Sequence, residues 1–178
     1  RYGWGKVARN WTLVWMGNFA GALFFTYFMV VLPGVLSSEM WREAACNIAQ
    51  AKVSLPWSTV FLRGVGANWL VCLAVWLGMS ANDVPGRMPG LFFPIMCFVV
   101  IGYEHCIANM FFIPAAIFAG TDPRYVELVN SGAAVPLTAD WSKFFIDNLP
   151  AVTLGNIVGG AVLVAVIYCV IHGKVRNS

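Results

Sequence analysis

Apolar residues in this chain run in long blocks, and four blocks reach the length of a membrane crossing. A hydrocarbon core of about 30 Å takes roughly 20 apolar residues as helix. The blocks are residues 11–32, 57–79, 89–119 and 149–171. The third is too long for one straight crossing, and it contains Pro94, Gly102 and Pro114. It reads as two half-helices that meet near the string GYEH at 102–105. Backbone breaks at membrane depth occur where the chain lines a cavity or packs inside protein. Between the blocks, residues 35–52 suit a short surface helix. Residues 138–148 place Trp141, Phe144 and Phe145 at helical spacing among Asp140, Lys143 and Asp147, the pattern of an interfacial helix leading into the last crossing.

Two of the blocks echo each other. NWTLVWMGNFAGAL (10–23) aligns with NLPAVTLGNIVGGA (148–161), matching Asn10 to Asn148, Gly17–Asn18 to Gly155–Asn156 and Gly21 to Gly159. Small residues four apart let a neighbouring helix approach closely and are common in membranes, so the glycines alone could match by chance. The asparagines at fixed offsets argue for a true repeat. The two echoing helices are three crossings apart and therefore run in opposite directions, as in an inverted repeat of three spans per unit. A whole protomer is then expected to have six spans, with two before Arg1. The chain reads as one transmembrane channel domain over 1–178, truncated at its N-terminus.

Composition fixes the class. Of 178 residues, 60% are hydrophobic and 11% charged, and the mean hydropathy is +0.74. A soluble domain carries roughly 25% charged residues. The chain is expected to be an integral membrane protein. Its net charge of +3 comes without a basic run of the kind that binds nucleic acid. Five cysteines are scattered without a metal-binding or redox spacing. No metal or cofactor is expected. Arg1, Lys6 and Arg9 precede the first block, Arg87 lies between the second and third, and Lys174 and Arg176 follow the fourth. The excess of basic residues on that side places residues 1–9 and 172–178 in the cytoplasm.

The chemistry sits in the third block. His105 and Glu104 are adjacent inside it, and an ionisable residue in the bilayer marks a pathway by default. The alternative for His105 is a neutral imidazole held by backbone for packing. Histidine changes charge near neutral pH, which suits it to handling protons. Glu104 points to a different helical face. A buried carboxylate needs partners, and the freed donors at the break would supply them. Asn68, Asn109 and Asn156 lie within spans and could orient His105, line a pore or join helices. Arg63, one to two turns into the second block, either snorkels outward or pairs with an acid. Lys52 stands just before that block, where a cation concentrates anions. Phe98 shares a face with His105 and is either core or a pore constriction. The constellation favours a small anion. A bare anion meets a desolvation penalty of several kcal/mol in an apolar constriction, which a weak acid avoids by taking a proton.

The strings NWLVCLAVW (68–76), GYEHCIANMFFIPAAI (102–117) and DNLPAVTLGNIVGG (147–160) resemble the formate/nitrite transporter family, as do the opening GWGKVARNW and the lead-in KVSLPWSTVFLRGVGAN. The resemblance covers essentially the whole chain. It implies an all-α, aquaporin-like membrane fold of inverted three-helix repeats with broken second and fifth helices, here the break in 89–119. The four blocks would then be the third to sixth spans. It implies a homopentamer in the lipid bilayer with one pore per protomer, in the plasma membrane. The implied substrates are small monovalent anions, formate and nitrite first, then hydrosulfide, lactate or acetate. By the same resemblance His105 is the central histidine, Glu104 its neighbouring carboxylate and Asn68 its partner asparagine. Lys52 falls on the pore-mouth lysine, Phe98 on a constriction, and Asn109 and Asn156 on the asparagines of the last two spans.

Two other classes compete with this reading. A pore for water or neutral solutes would carry an NPA-type motif, which this sequence lacks. An enzyme built on Glu104 and His105 would need a third partner, a metal cluster or a cofactor motif.

Overall fold

The computed structural model describes residues 3–132, 134 and 136–173, and every described segment of regular structure is helical. Among the described residues the helices longer than a single turn are α1 (Trp4–Val31), α2 (Glu39–Val53), α3 (Trp57–Ser80), α4 (Val84–Val100), α5 (Cys106–Gly120), α6 (Pro123–Asn130) and α7 (Trp141–Ile171). α1, α3 and α7 are each long and apolar enough to cross a membrane. Of the ends assigned to the cytoplasm, Arg1, Tyr2 and residues 174–178 lie outside the described residues.

The boundaries differ from the hydropathy blocks where capping intervenes. α4 starts before Pro89, because Asp83 caps it: the carboxylate accepts from Gly86 N at 2.7 Å, and a proline sits in the first turn. An N-cap acid and an early proline are favourable starts, since the first N–H groups have no partner within the helix. α7 likewise starts at Trp141, ahead of the block at 149, under Asp140, whose carboxylate accepts from Lys143 N at 2.8 Å. The expected interfacial helix is thus the first turns of α7, and Phe144 is fully buried.

The chain forms two compact units. The first joins Arg1–Ser54 with Ile107–Ile146. Within it, α1 buries no side chain over Trp4–Phe25, and its apolar residues face outward as they would to lipid or to further protein. Its hydrogen bonding widens to the i→i+5 pattern over Thr26–Val31, ending with Leu32 N on Tyr27 O at 2.9 Å. A groove of about 670 Å³ runs past Val14, Gly17, Gly21, Phe25 and Phe111. α2 buries the single stripe Arg42, Cys46, Ala49 and Val53. It carries Glu39 in its first turn and Lys52 in its last, both favourable to the helix dipole. α5 turns into α6 through 70° at Thr121–Asp122. Asp122 caps α6 through Arg124 N at 2.8 Å. It also stands 4.0 Å from the buried guanidinium of Arg42, which donates to the carbonyls of Ser37 at 2.8 Å and Leu36 at 3.3 Å. Cys46, Ala119 and Tyr125 form the small core at this corner.

The second unit joins Leu55–Cys106 with Asp147–Ser178 and contains α3, α4, the break that follows α4, and most of α7. α7 lies against α3 through its glycines. A Cβ on Gly155 would collide with the carbonyl of Phe61, and one on Gly159 with that of Val65. On the other face of α3, Gly78 and Gly90 admit Leu91 and the Leu77 backbone in the same way.

Candidate anion pathway at the helix break

α4 ends as the sequence dictates. Gly102 takes the left-handed conformation at φ 73°, open to glycine at little cost. Around it, Tyr103 N donates to Phe98 O at 3.0 Å and Gly102 N to Val99 O at 3.1 Å, the paired bonds of a Schellman stop. Residues 103–105 then have no regular structure until α5 begins at Cys106. This breaks the 89–119 block at the position expected from GYEH.

A break inside an apolar span leaves backbone groups in need of partners, and buried orphans are costly. Side chains and backbone from α3 and α7 supply them. Asn156 on α7, buried, accepts from Cys106 N at 2.9 Å and donates to Glu104 O at 3.0 Å and to Gly64 O at 2.8 Å. It therefore caps α5 from another helix and ties the break to α3 and α7 at once. Glu104 N donates to Arg63 O at 3.4 Å, and the Arg63 guanidinium donates to Gly102 O at 3.3 Å. Asn68 donates to Asn156 O at 2.6 Å, which fastens α3 to α7.

The break presents two side chains of opposite character. Glu104 is buried, with 3% exposure. His105 is half-buried and stacks on Phe98, ring centroids 5.9 Å apart and planes 29° from parallel. Phe98 and His105 were expected on one face, and they do meet, although the helix between them is interrupted. The first unit holds the other two candidates. Asn109 is fully buried on α5, and Lys52 is half-buried in the last turn of α2. Among the described residues no group of His, Cys, Asp or Glu could hold a metal ion.

The arrangement offers an imidazole beside an aromatic face in a largely apolar surround, at a break held by amide, backbone and guanidinium hydrogen bonds. The family model described as formate/nitrite transporter matches residues 1–170. The chain belongs to the formate/nitrite transporter family. It is an integral, multi-pass membrane protein with the all-α fold of that family, and the family is one of transporters rather than enzymes.

Relatives within the family include a probable formate transporter of Methanothermobacter thermautotrophicus, 42% identical, with 91% of this chain and 58% of the relative covered. The formate channel FocA of Escherichia coli K12 is 35% identical, with 97% of this chain and 61% of that protein covered. The chain thus spans about six-tenths of the length of these formate/nitrite transporter relatives. Among solved structures, a pentameric formate channel with formate bound superimposes with a TM-score of 0.84 at 35% identity, over 95% of this chain and 68% of that one. An ion channel of the same family gives 0.75 at 25% identity, over 94% and 60%.

Two features of the site were not legible in the sequence of this chain: the threefold use of Asn156 and the docking of Arg63 on the break. The first had a trace in the glycine–asparagine echo, which fixes Asn156 beside Gly155 at the closest approach of α3 and α7. The second had none, because Arg63 and Gly102 are far apart in the chain.

Proposed function

We propose that the protein moves small monovalent anions of weak acids, formate and nitrite foremost, through one pore in each protomer of a homopentamer in the plasma membrane. Residues 1–9 face the cytoplasm in this reading. Lys52 draws the anion to the pore mouth. At the break His105, as imidazolium, meets the anion and shares or gives up its proton. The neutral acid then passes the apolar constriction at Phe98, where the bare anion would lose its hydration without compensation. Glu104 and Asn156 hold the break that presents the ring, and Asn68 and Asn109 line or brace the path. The observation that carries this is the break itself: an imidazole stacked on Phe98, beside a buried carboxylate, in an otherwise apolar span.

The test uses the whole protein in proteoliposomes, with formate and nitrite uptake followed against pH. Uptake is expected to rise as pH falls, because both imidazolium and protonated acid become more abundant. His105→Asn is expected to abolish that dependence. A variant that transports with the wild-type pH profile would remove the proton role of His105. Free conduction of anions without a pH response would leave a channel in which His105 filters charge.

A further inference from the structure

Arg63 is a charge in a place that the reading above does not use. It lies between one and two turns inside α3 from Trp57 and is the charged residue of that helix. A guanidinium there is expensive unless it has a task or a partner. The Arg42–Asp122 ion pair does not involve Arg63, whose backbone carbonyl accepts from Glu104 N. One of its N–H groups donates to Gly102 O at 3.3 Å. Arginine carries five such donors in a rigid fork, so the rest of the fork is left for something else.

The position of the head group is set by construction. Arg63 O holds Glu104 N while the guanidinium holds Gly102 O, so the residue grips the break on both sides of Tyr103. Tyr103 in turn lies over Gly66, one turn further along α3, where any Cβ would collide with the phenol ring. Gly102 adds no side chain, and a Cβ there would sit 3.9 Å from the guanidinium nitrogen. The carbonyl ends of α4 favour a cation at this point, since a helix C-terminus carries partial negative charge. The result is a half-buried cationic fork docked on the break that carries His105.

We propose that Arg63 is an anion-binding residue of the permeation path, taking small monovalent carboxylates and oxoanions by its free N–H donors at the helix break. The proposal rests on the transport reading and adds to it a second cationic side chain at the break. A planar fork matches the two oxygens of formate or nitrite.

The experiment compares wild type, Arg63→Gln and Arg63→Lys in the whole protein. Glutamine keeps a donor for Gly102 O and loses the charge, while lysine keeps the charge. Uptake of formate and of formamide, its neutral counterpart of similar size, is measured in proteoliposomes at several ionic strengths. Formate-dependent thermal stabilisation is measured in detergent. Expected for Arg63→Gln are a half-saturating formate concentration raised roughly tenfold, a flattened response to ionic strength, unchanged formamide passage and loss of the formate-induced thermal shift. Arg63→Lys is expected to recover most of the charge-dependent effects. Wild-type values in Arg63→Gln would overturn the proposal, as would equal loss of formate and formamide, which is the mark of a purely structural pin. If wild type moves no formate but shows a formate shift that Arg63→Gln lacks, the transport reading falls and the binding site stands. If neither is seen, both fall.

Discussion

Asn156 shows how much one uncharged side chain can hold. Its amide donates twice and accepts once, joining α7 to Gly64 on α3 and to both sides of the Glu104–Cys106 step. Replacing it by alanine removes all three bonds from an apolar span. At ~1 kcal/mol for each bond, Asn156→Ala should cost the whole protein about 3 kcal/mol, read as a lower melting point in detergent, with transport lost in parallel. A melting point within error of wild type would mean that water replaces the amide. The residue types at the site were legible from the sequence: His105, Glu104 and Phe98 stood out as titratable or aromatic groups in an apolar block. Their roles were less so. Asn68 and Asn156 look alike in the sequence, and only the packing of α3 on α7 shows that one fastens helices while the other caps a break.

At the level of the helices, the α3–α7 contact depends on absent side chains. Gly155 and Gly159 let the α7 backbone meet the carbonyls of Phe61 and Val65, closer than any residue with a Cβ permits. Gly159→Leu is therefore expected to part the two helices and to move Asn156 away from the break. The measurement is uptake together with thermal stability, and both should fall. A lipid-facing glycine would accept leucine without loss. The half-helices were predictable because Gly102 and the length of the block both argue against a single span. Helix starts were less so: Asp83 and Asp140 each extend a helix beyond its apolar stretch. Hydropathy reads what lipid accepts, and capping acts on backbone donors that hydropathy does not see.

For the molecule as a whole, the corner at α2 and α6 sets a limit on the alkaline side. Burial pushes the Cys46 thiol up, against the opposing influence of its hydrogen bond with Tyr125 and of the Arg42 charge. Burial, with Cys46 and Glu43 nearby, pushes the Tyr125 hydroxyl up to about 12. Both groups are acids that hold their protons more tightly when folded. As pH rises past the ordinary thiol value of 9.0, the unfolded chain releases protons that the folded chain keeps, so stability falls toward pH 12. Melting points of the whole protein between pH 8 and about 11 should decline. Cys46→Ala should flatten the first part of the decline, and an unchanged slope would remove the thiol from the account.

The break after α4 also bears on how the chain enters a membrane. α4 has 17 residues and α5 has 15, each below the roughly 20 that an insertion channel accepts as a complete span. Between them the ribosome delivers Glu104 and His105, and charged residues at mid-depth oppose partitioning into lipid. Neither half can therefore commit to the bilayer as it emerges. α3, with 24 residues, and α7, with 31, can. The segment that carries the chemistry must wait at the channel until α7 has been made, and that later helix becomes the one that decides the topology of the site.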